Sequence, residues 1–263
     1  MTRLRSAGCV FAEDEAELLL ATAHTPSELA DMLARRIGGL PLEHVLGWAA
    51  FCGRGIVVGP GVFVPRRRTE FLVRRAAPLM ATAAVVVDLC CGSGAVGAVL
   101  CTAAEGAPRV GAELHATDVD EAAVRCARRN VAAVGGHVHH GDLYAPLPAT
   151  LRGRVDVLVA NPPYVPTGAI DLLPPEARTH EPRVALDGGA DGLDVLRRVV
   201  AQAPAWLAPG GQLLVELGEH QVPAAVDALM RSGLIPEVAR DEEFEATVLL
   251  GRRPATGVCG KGR

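Results

Sequence analysis

The sequence predicts an α/β fold: a mostly parallel, doubly wound, Rossmann-like sheet, preceded by a small helical piece and a hairpin. Three observations carry this expectation. From residue 84 onward, apolar strand-like runs alternate with helical patterns, which means parallel strands joined by crossover helices on both faces of one sheet. Residues 12–37 place Leu18, Leu19, Ala23, Leu29, Met32, Leu33 and Ile37 at helical spacing. Between these two regions, glycines alternate with β-branched residues over 51–65, the pattern of two short strands and a tight turn.

Taken in order, Thr25-Pro26-Ser27-Glu28 supplies the start signal for a second N-terminal helix. The hairpin is expected within Gly55-Ile56-Val57-Val58-Gly59-Pro60-Gly61-Val62-Phe63-Val64. Val85-Val86-Val87 reads as a buried strand, followed by a small-residue helix over 95–104. A second strand over 114–117, a helix over 121–131, a third strand over 137–140 and a fourth over 155–159 continue the alternation. Beyond a proline-rich loop come a helix (193–206), a strand (212–217), a helix (222–231) and a final strand pair near 235–240 and 246–250. The expected organisation is a helical piece (1–50), a hairpin and linker (51–80), a ligand-binding domain (81–254) and a tail (255–263).

A chain of 263 residues holds one such domain plus an accessory element. Its seven cysteines form an odd set without a C-x-x-C pair, which argues for reduced thiols rather than a disulfide framework or zinc ribbon. The first ten residues run into Glu13, Asp14, Glu15 and Glu17 instead of an apolar signal segment, and the uncharged run 89–104 is short and broken by glycines. A cytoplasmic protein without a membrane partner is expected. A net charge of −4 gives no global attraction to nucleic acid, which leaves Arg66-Arg67-Arg68 as a local cluster able to meet phosphate.

In a doubly wound sheet the ligand lies outside the carboxyl ends of the strands, so the turn after the first strand matters most. That turn is Asp88-Leu89-Cys90-Cys91-Gly92-Ser93-Gly94. Gly92 to Gly97 satisfies the dinucleotide pattern G-x-G-x-x-G literally. Yet Asp88 puts a carboxylate just before the glycines, which repels a diphosphate and attracts the cationic end of S-adenosylmethionine. Asp118 ends the second strand, where ribose hydroxyls are expected, and Asp142 follows the third, where the adenine amino group is expected. Either acid alone reads equally well as a helix N-cap. Cys90-Cys91 is read as packing beneath the ligand, and His137, His139 and His140 as a strand whose alternation splits them between two faces rather than as metal ligands.

After the fourth strand the chain reads Asn161-Pro162-Pro163-Tyr164. Two prolines fix φ and remove two N–H donors, leaving a rigid loop that presents acceptors. The Asn161 side-chain oxygen and the Pro162 carbonyl are expected to take the two hydrogens of a planar NH₂ group, with the Tyr164 ring against its flat face.

These residues, with Pro41-Leu42-Glu43-His44-Val45-Leu46-Gly47, Val64-Pro65-Arg66-Arg67-Arg68-Thr69-Glu70, Gly141-Asp142-Leu143, Glu181-Pro182-Arg183-Val184-Ala185-Leu186, Gly188-Gly189, Gly192-Leu193 and Glu216-Leu217-Gly218 with Gln221, form an ordered set. The set resembles the HemK/PrmC family of protein glutamine N(5)-methyltransferases, which act on the Gly-Gly-Gln loop of peptide-chain release factors. The resemblance implies a class I methyltransferase sheet with an antiparallel last strand, and S-adenosylmethionine as cofactor with S-adenosylhomocysteine as product. It also implies a release factor as protein partner. By it, Cys90 to Gly94, Asp118, Leu143 and Asn161 contact the cofactor, Asn161 to Tyr164 hold the glutamine, and Arg66 and Glu70 lie near the cofactor. Arg67 stands where the family has a second proline, Cys90-Cys91 replaces its Gly-Thr, and the N-terminal helices are shorter than the family's. Competing expectations are an adenine or guanine amino methyltransferase, glutamine methylation of a ribosomal protein, and a nicotinamide oxidoreductase.

Overall fold

The computed structural model describes residues 1–255. Cys259 and all of the expected tail except Ala255 lie outside the described residues. The other six cysteines are free thiols.

Four helices open the chain: α1 (Thr2–Ser6), α2 (Ala12–Thr22), α3 (Pro26–Ile37) and α4 (Leu42–Leu46). The Thr25 hydroxyl accepts from Glu28 N at 3.1 Å and caps α3, while Glu28 reaches back to His24 N at 2.7 Å. Leu4, Ala12, Leu19, Met32 and Val45 form a core belonging to these helices alone. Arg36 of α3 grips Glu15 of α2 through two hydrogen bonds of 2.7 and 2.9 Å.

The hairpin lies N-terminal to where the sequence pattern put it. β1 (Trp48–Phe51) pairs antiparallel with β2 (Arg54–Val57) around a Cys52-Gly53 turn. Both turn residues have positive φ, 49° and 70°, the conformation that matches the twist of a two-residue hairpin loop. The Gly59-Pro60-Gly61 stretch is a loop outside the strands.

A helix that the sequence pattern did not reveal follows, α5 (Thr69–Ala76), and then the main alternation begins. It runs β3 (Val85–Leu89), α6 (Ala95–Leu100), β4 (Glu113–Asp118), α7 (Glu121–Val131), β5 (His137–His140) and β6 (Val155–Ala160). A second unforeseen helix, α8 (Pro175–His180), precedes α9 (Asp194–Trp206), β7 (Leu207–Leu217), α10 (Val222–Arg231), β8 (Ile235–Asp241) and β9 (Ala246–Arg252). Helix α6 stops at Leu100, short of the expected 104.

The seven strands lie in the order β5-β4-β3-β6-β7-β9-β8. All pairings are parallel except those of β9, which runs antiparallel to both neighbours. Along β3 the side chains alternate between two cores. Val85, Val87 and Leu89 pack with Leu196, Val199 and Leu229 of α9 and α10. Val86 packs with Leu72 and Ala76 of α5 and Leu100 of α6. The sheet is therefore covered on both faces, and its exposed functional edge is the row of strand carboxyl ends. No described helix is long and apolar enough to cross a membrane.

Candidate active site

At the carboxyl ends of β3, β4 and β6 the chain encloses a cavity of about 970 Å³. One stretch of its wall is built from the turn after β3. Cys90, Gly92 and Gly94 all have positive φ, so the backbone folds back on itself before α6 starts. A side chain at Gly94 would stand 3.0 Å from the Ala127 β-carbon, because α7 passes directly against the turn. Asn130 of α7 fixes the arrangement, donating to Ser93 O and Val57 O at 2.8 Å each and accepting from Val57 N at 2.9 Å. The hairpin, α7 and the glycine turn thus share one amide.

The acids that the sequence singled out converge here. The Asp88 carboxyl accepts from Gly97 N at 2.9 Å; burial pushes its pKa up to about 7. Asp118 accepts from Gly92 N at 2.8 Å and Asp120 N at 2.9 Å, and burial also holds its carboxyl above the ordinary range. The N-cap of α7 is Asp120, which accepts from Ala122 N and Ala123 N, so Asp118 is not the cap. Asp142 pairs with Arg198 of α9, both half-exposed, and Leu143 behind it is buried with φ of 48°. Cys90 and Cys91 line the cavity, and burial raises both thiols well above their ordinary value. They are packing groups here, not nucleophiles.

The chemistry of this stretch suits a nucleoside with a cationic tail. A diphosphate needs free backbone N–H groups, but Gly97 N and Gly92 N already serve carboxylates. Carboxylates retain lone pairs for hydroxyl and ammonium donors. S-adenosylmethionine offers both, whereas the literal dinucleotide pattern finds no vacant anion cradle at these two amides.

Beside that turn the cavity is walled by Asn161-Pro162-Pro163-Tyr164, which follows β6, the strand next to β3 with Ala160 in register with Leu89. Asn161 Nδ2 donates to the Thr69 hydroxyl at 3.4 Å, at the start of α5. Its Oδ1 is buried without a hydrogen-bond partner. Pro162 and Pro163 are buried as well and bring no N–H. Gln221 braces the loop from the far side, donating to Tyr164 O at 2.9 Å and Asp191 O at 3.1 Å while its own Oε1 accepts from Gly218 N. A side chain at Gly192 would stand 2.2 Å from Tyr164 O, so only glycine lets these two backbones meet.

Arg66, Arg67 and Arg68, read from sequence as a phosphate-contacting cluster, each take a separate glutamate instead. Arg66 pairs with Glu181 at 2.5 Å, Arg67 with Glu243 at 3.0 Å and Arg68 with Glu216 at 2.9 Å. Burial raises the Glu181 and Glu216 carboxyls despite these partners. The Arg68 guanidinium also lies over the Tyr164 ring, 5.6 Å from its centroid. Glu70, expected near the cofactor, turns away and accepts from Cys52 N at 3.0 Å, closing the hairpin turn. The histidines divide as alternation requires: His137 and His139 stack on His115, and His140 meets Val119 O. Among the described residues no group of three or more His, Cys, Asp or Glu is placed to hold a metal ion.

Sequence reasoning quoted Thr69, Glu181, Glu216 and Gln221 without roles and read Arg68 only as part of a phosphate-meeting cluster. Their partners lie far along the chain, so no local pattern announces them.

Comparison with known proteins bears on the family and the fold. The family "Methyltransferase small domain" matches residues 55–173. A release factor glutamine methyltransferase of Geobacter sulfurreducens is 41% identical over 79% of this chain and 72% of its own length. That of Mycolicibacterium smegmatis is 39% identical over 86% and 79%. A 4-amino-L-phenylalanine/4-methylamino-L-phenylalanine methyltransferase of Streptomyces pristinaespiralis is 37% identical over 88% and 79%. Among solved structures, a methyltransferase from Pyrococcus furiosus superposes with a TM-score of 0.56 at 16% identity, covering 86% of this chain and 99% of that one. A ribosomal protein L11 methylase from Lactobacillus delbrueckii gives 0.53 at 19%, covering 76% and 85%. At such identities these structures speak for the fold alone.

Proposed function

The chain belongs to the HemK/PrmC family, the family of the release factor glutamine methyltransferases, and on that premise we propose that it methylates the side-chain amide nitrogen of a protein glutamine. The acceptor is the glutamine of the Gly-Gly-Gln loop of a peptide-chain release factor, in the cytoplasm. The observation that carries this reading is the Asn161 Oδ1 atom, buried, unpartnered and set beside two prolines in the cavity wall.

An amide nitrogen is a poor nucleophile because its lone pair is delocalised into the carbonyl. Asn161 Oδ1 and the Pro162 carbonyl accept its two hydrogens, hold the NH₂ plane and localise charge on nitrogen. Tyr164, kept as a neutral phenol by burial, packs against the flat group. S-adenosylmethionine, bound against the glycine turn, supplies a methyl group on a sulfonium leaving group. Asp88 serves its ammonium, Asp118 its ribose hydroxyls and Asp142 its adenine amino group. Cys90 to Gly94 and Leu143 shape the surface beneath it. No strong side-chain base is needed, since the nitrogen becomes acidic once alkylated. The N-terminal helices, tied to α8 through Arg36 and Glu176, recognise the protein partner.

The Streptomyces pristinaespiralis relative favours a second reading, an aromatic amine of a free amino acid, because the same acceptor loop suits any planar NH₂. Labelled S-adenosylmethionine, offered with purified release factor, RNA, ribosomal protein and 4-aminophenylalanine in turn, tests both. Label in the release factor supports the first reading; label in the amino acid or in RNA replaces it.

A further inference from the structure

Besides Asn161 Oδ1 and the Thr117 hydroxyl, a third buried oxygen on a residue lining this cavity has no partner. The Glu181 side chain is 1% exposed and lines the cavity. Its Oε1 accepts from Arg66 Nη2 at 2.5 Å and from Val64 N at 3.4 Å. Its Oε2 is buried and receives nothing. A carboxylate oxygen in that state carries a desolvation cost that a donor from the ligand removes. Glu181 lines the same cavity as Asn161 and Tyr164, and its partner Arg66 is two residues from Arg68, whose guanidinium lies over the Tyr164 ring.

The character of the missing donor follows from the charges. Arg66 already neutralises Glu181, so a second full cation would leave the pocket positive. An uncharged N–H satisfies Oε2 and leaves the pair balanced. The neighbouring Asn161-Pro162-Pro163 segment cannot supply it, because Asn161 Nδ2 is turned to Thr69 and the prolines have no N–H.

Resting on the protein-glutamine reading above, we propose that Glu181 is a substrate-positioning residue whose Oε2 accepts the main-chain N–H of the acceptor glutamine, while Asn161 holds its side-chain amide. The two acceptors then fix both ends of one residue. This distinguishes a peptide from a free amino acid, which brings an ammonium where the pair calls for a neutral donor.

The test uses the full chain, a Gly-Gly-Gln release factor, and the same factor prepared semisynthetically with an ester in place of the glutamine main-chain N–H. In the wild-type enzyme the ester raises KM about tenfold, the loss of one hydrogen bond to a charged group, and leaves kcat within about threefold. Glu181→Gln, which retains an oxygen for Arg66 but turns an NH₂ toward the substrate, raises KM for the native factor by about tenfold or more. In that variant the ester costs nothing further, and S-adenosylhomocysteine binding by calorimetry is unchanged. The ester comparison in wild type needs no substitution in the protein, so it remains decisive if Glu181→Gln folds poorly. An ester without effect on wild-type KM overturns the proposal. So does an ester penalty that persists in Glu181→Gln, or a loss of S-adenosylhomocysteine affinity there, which would assign Glu181 to the cofactor. Wild type that never labels the native factor overturns the substrate reading, and this inference with it, a result distinct from any of these.

Discussion

Two neighbouring stretches of the cavity wall, the glycine turn after β3 and the loop after β6, are built on different principles. At the glycine turn, Asp88, Asp118 and Asp142 are engaged by Gly97 N, by Gly92 N with Asp120 N, and by Arg198. At the acceptor loop, Asn161 Oδ1 and Glu181 Oε2 are buried with no donor. In the first stretch every acid is met by the chain itself, Asp88 and Asp118 by backbone and Asp142 by Arg198, although Thr117 Oγ1 there is also buried without a partner. The second is incomplete until N–H groups arrive. A site that leaves acceptors buried and unmet binds what satisfies them and rejects analogues that do not. Under the proposed function, this division would give cofactor binding to the acids held by the chain and substrate selection to the unmet acceptors.

Substitutions in each stretch test that division, and the largest effect is expected at Asp88. Burial raises its pKa from 3.8 to about 7. Between those values the unfolded chain has shed a proton that the folded chain keeps. Stability therefore falls as pH rises through that window and is lowest above it, by on the order of 4 kcal/mol. Asp88→Asn, which can still accept from Gly97 N, removes this fall in denaturant titrations at pH 4, 5.5 and 8 and weakens S-adenosylhomocysteine binding. A wild-type protein with stability flat across the window would show the carboxyl to be better solvated than the geometry implies.

Asn161→Ala is expected to cost about 2–4 kcal/mol of transition-state stabilisation, roughly 10²–10³ in kcat, with cofactor affinity and melting temperature nearly unchanged. The substitution removes an unpartnered buried oxygen and breaks only the long 3.4 Å bond from Nδ2 to Thr69, so its effect on stability is small. Near-normal turnover would reject its role. Arg68→Met strips Glu216, 1% exposed, of its ion pair and should destabilise by about 2–3 kcal/mol, an effect largely reversed by adding Glu216→Gln. Failure of the double substitution to recover would move the importance of Arg68 to its contact with the Tyr164 ring. Arg198→Ala breaks a half-exposed pair with Asp142, so thermal melts should register less than about 1 kcal/mol.

The parts of this architecture that the sequence revealed are those with short-range causes. Parallel strands covered on both faces read as apolar runs, and all five residues of β3 are buried. The acids at strand ends and the Asn161-Pro162-Pro163-Tyr164 loop were legible because topology alone puts them at the functional edge. The hairpin was misplaced because a cysteine in left-handed conformation leaves no compositional signal, whereas Gly59-Pro60-Gly61 looks like a turn. Helix α5 follows three arginines and buries Phe71, Leu72 and Ala76 only by packing on the sheet, and α8 sits behind Pro174-Pro175. The Arg66–Glu181 and Arg68–Glu216 pairs join residues brought together only by the folded sheet. An arginine run that looked like a phosphate site is instead divided, Arg66 and Arg68 lining the cavity against buried glutamates and Arg67 pairing with Glu243 on the surface.

The most direct measurement of the central claim is the position of the transferred methyl. Purified release factor, incubated with labelled S-adenosylmethionine and either wild type or Asn161→Ala, is digested and mapped by fragmentation mass spectrometry. The label should sit on the side-chain amide nitrogen of the Gly-Gly-Gln glutamine, and its rate of appearance should drop at least about a hundredfold with Asn161→Ala. Label on any other atom, or equal labelling by the two enzymes, would contradict an acceptor site built around an unpartnered Asn161 oxygen.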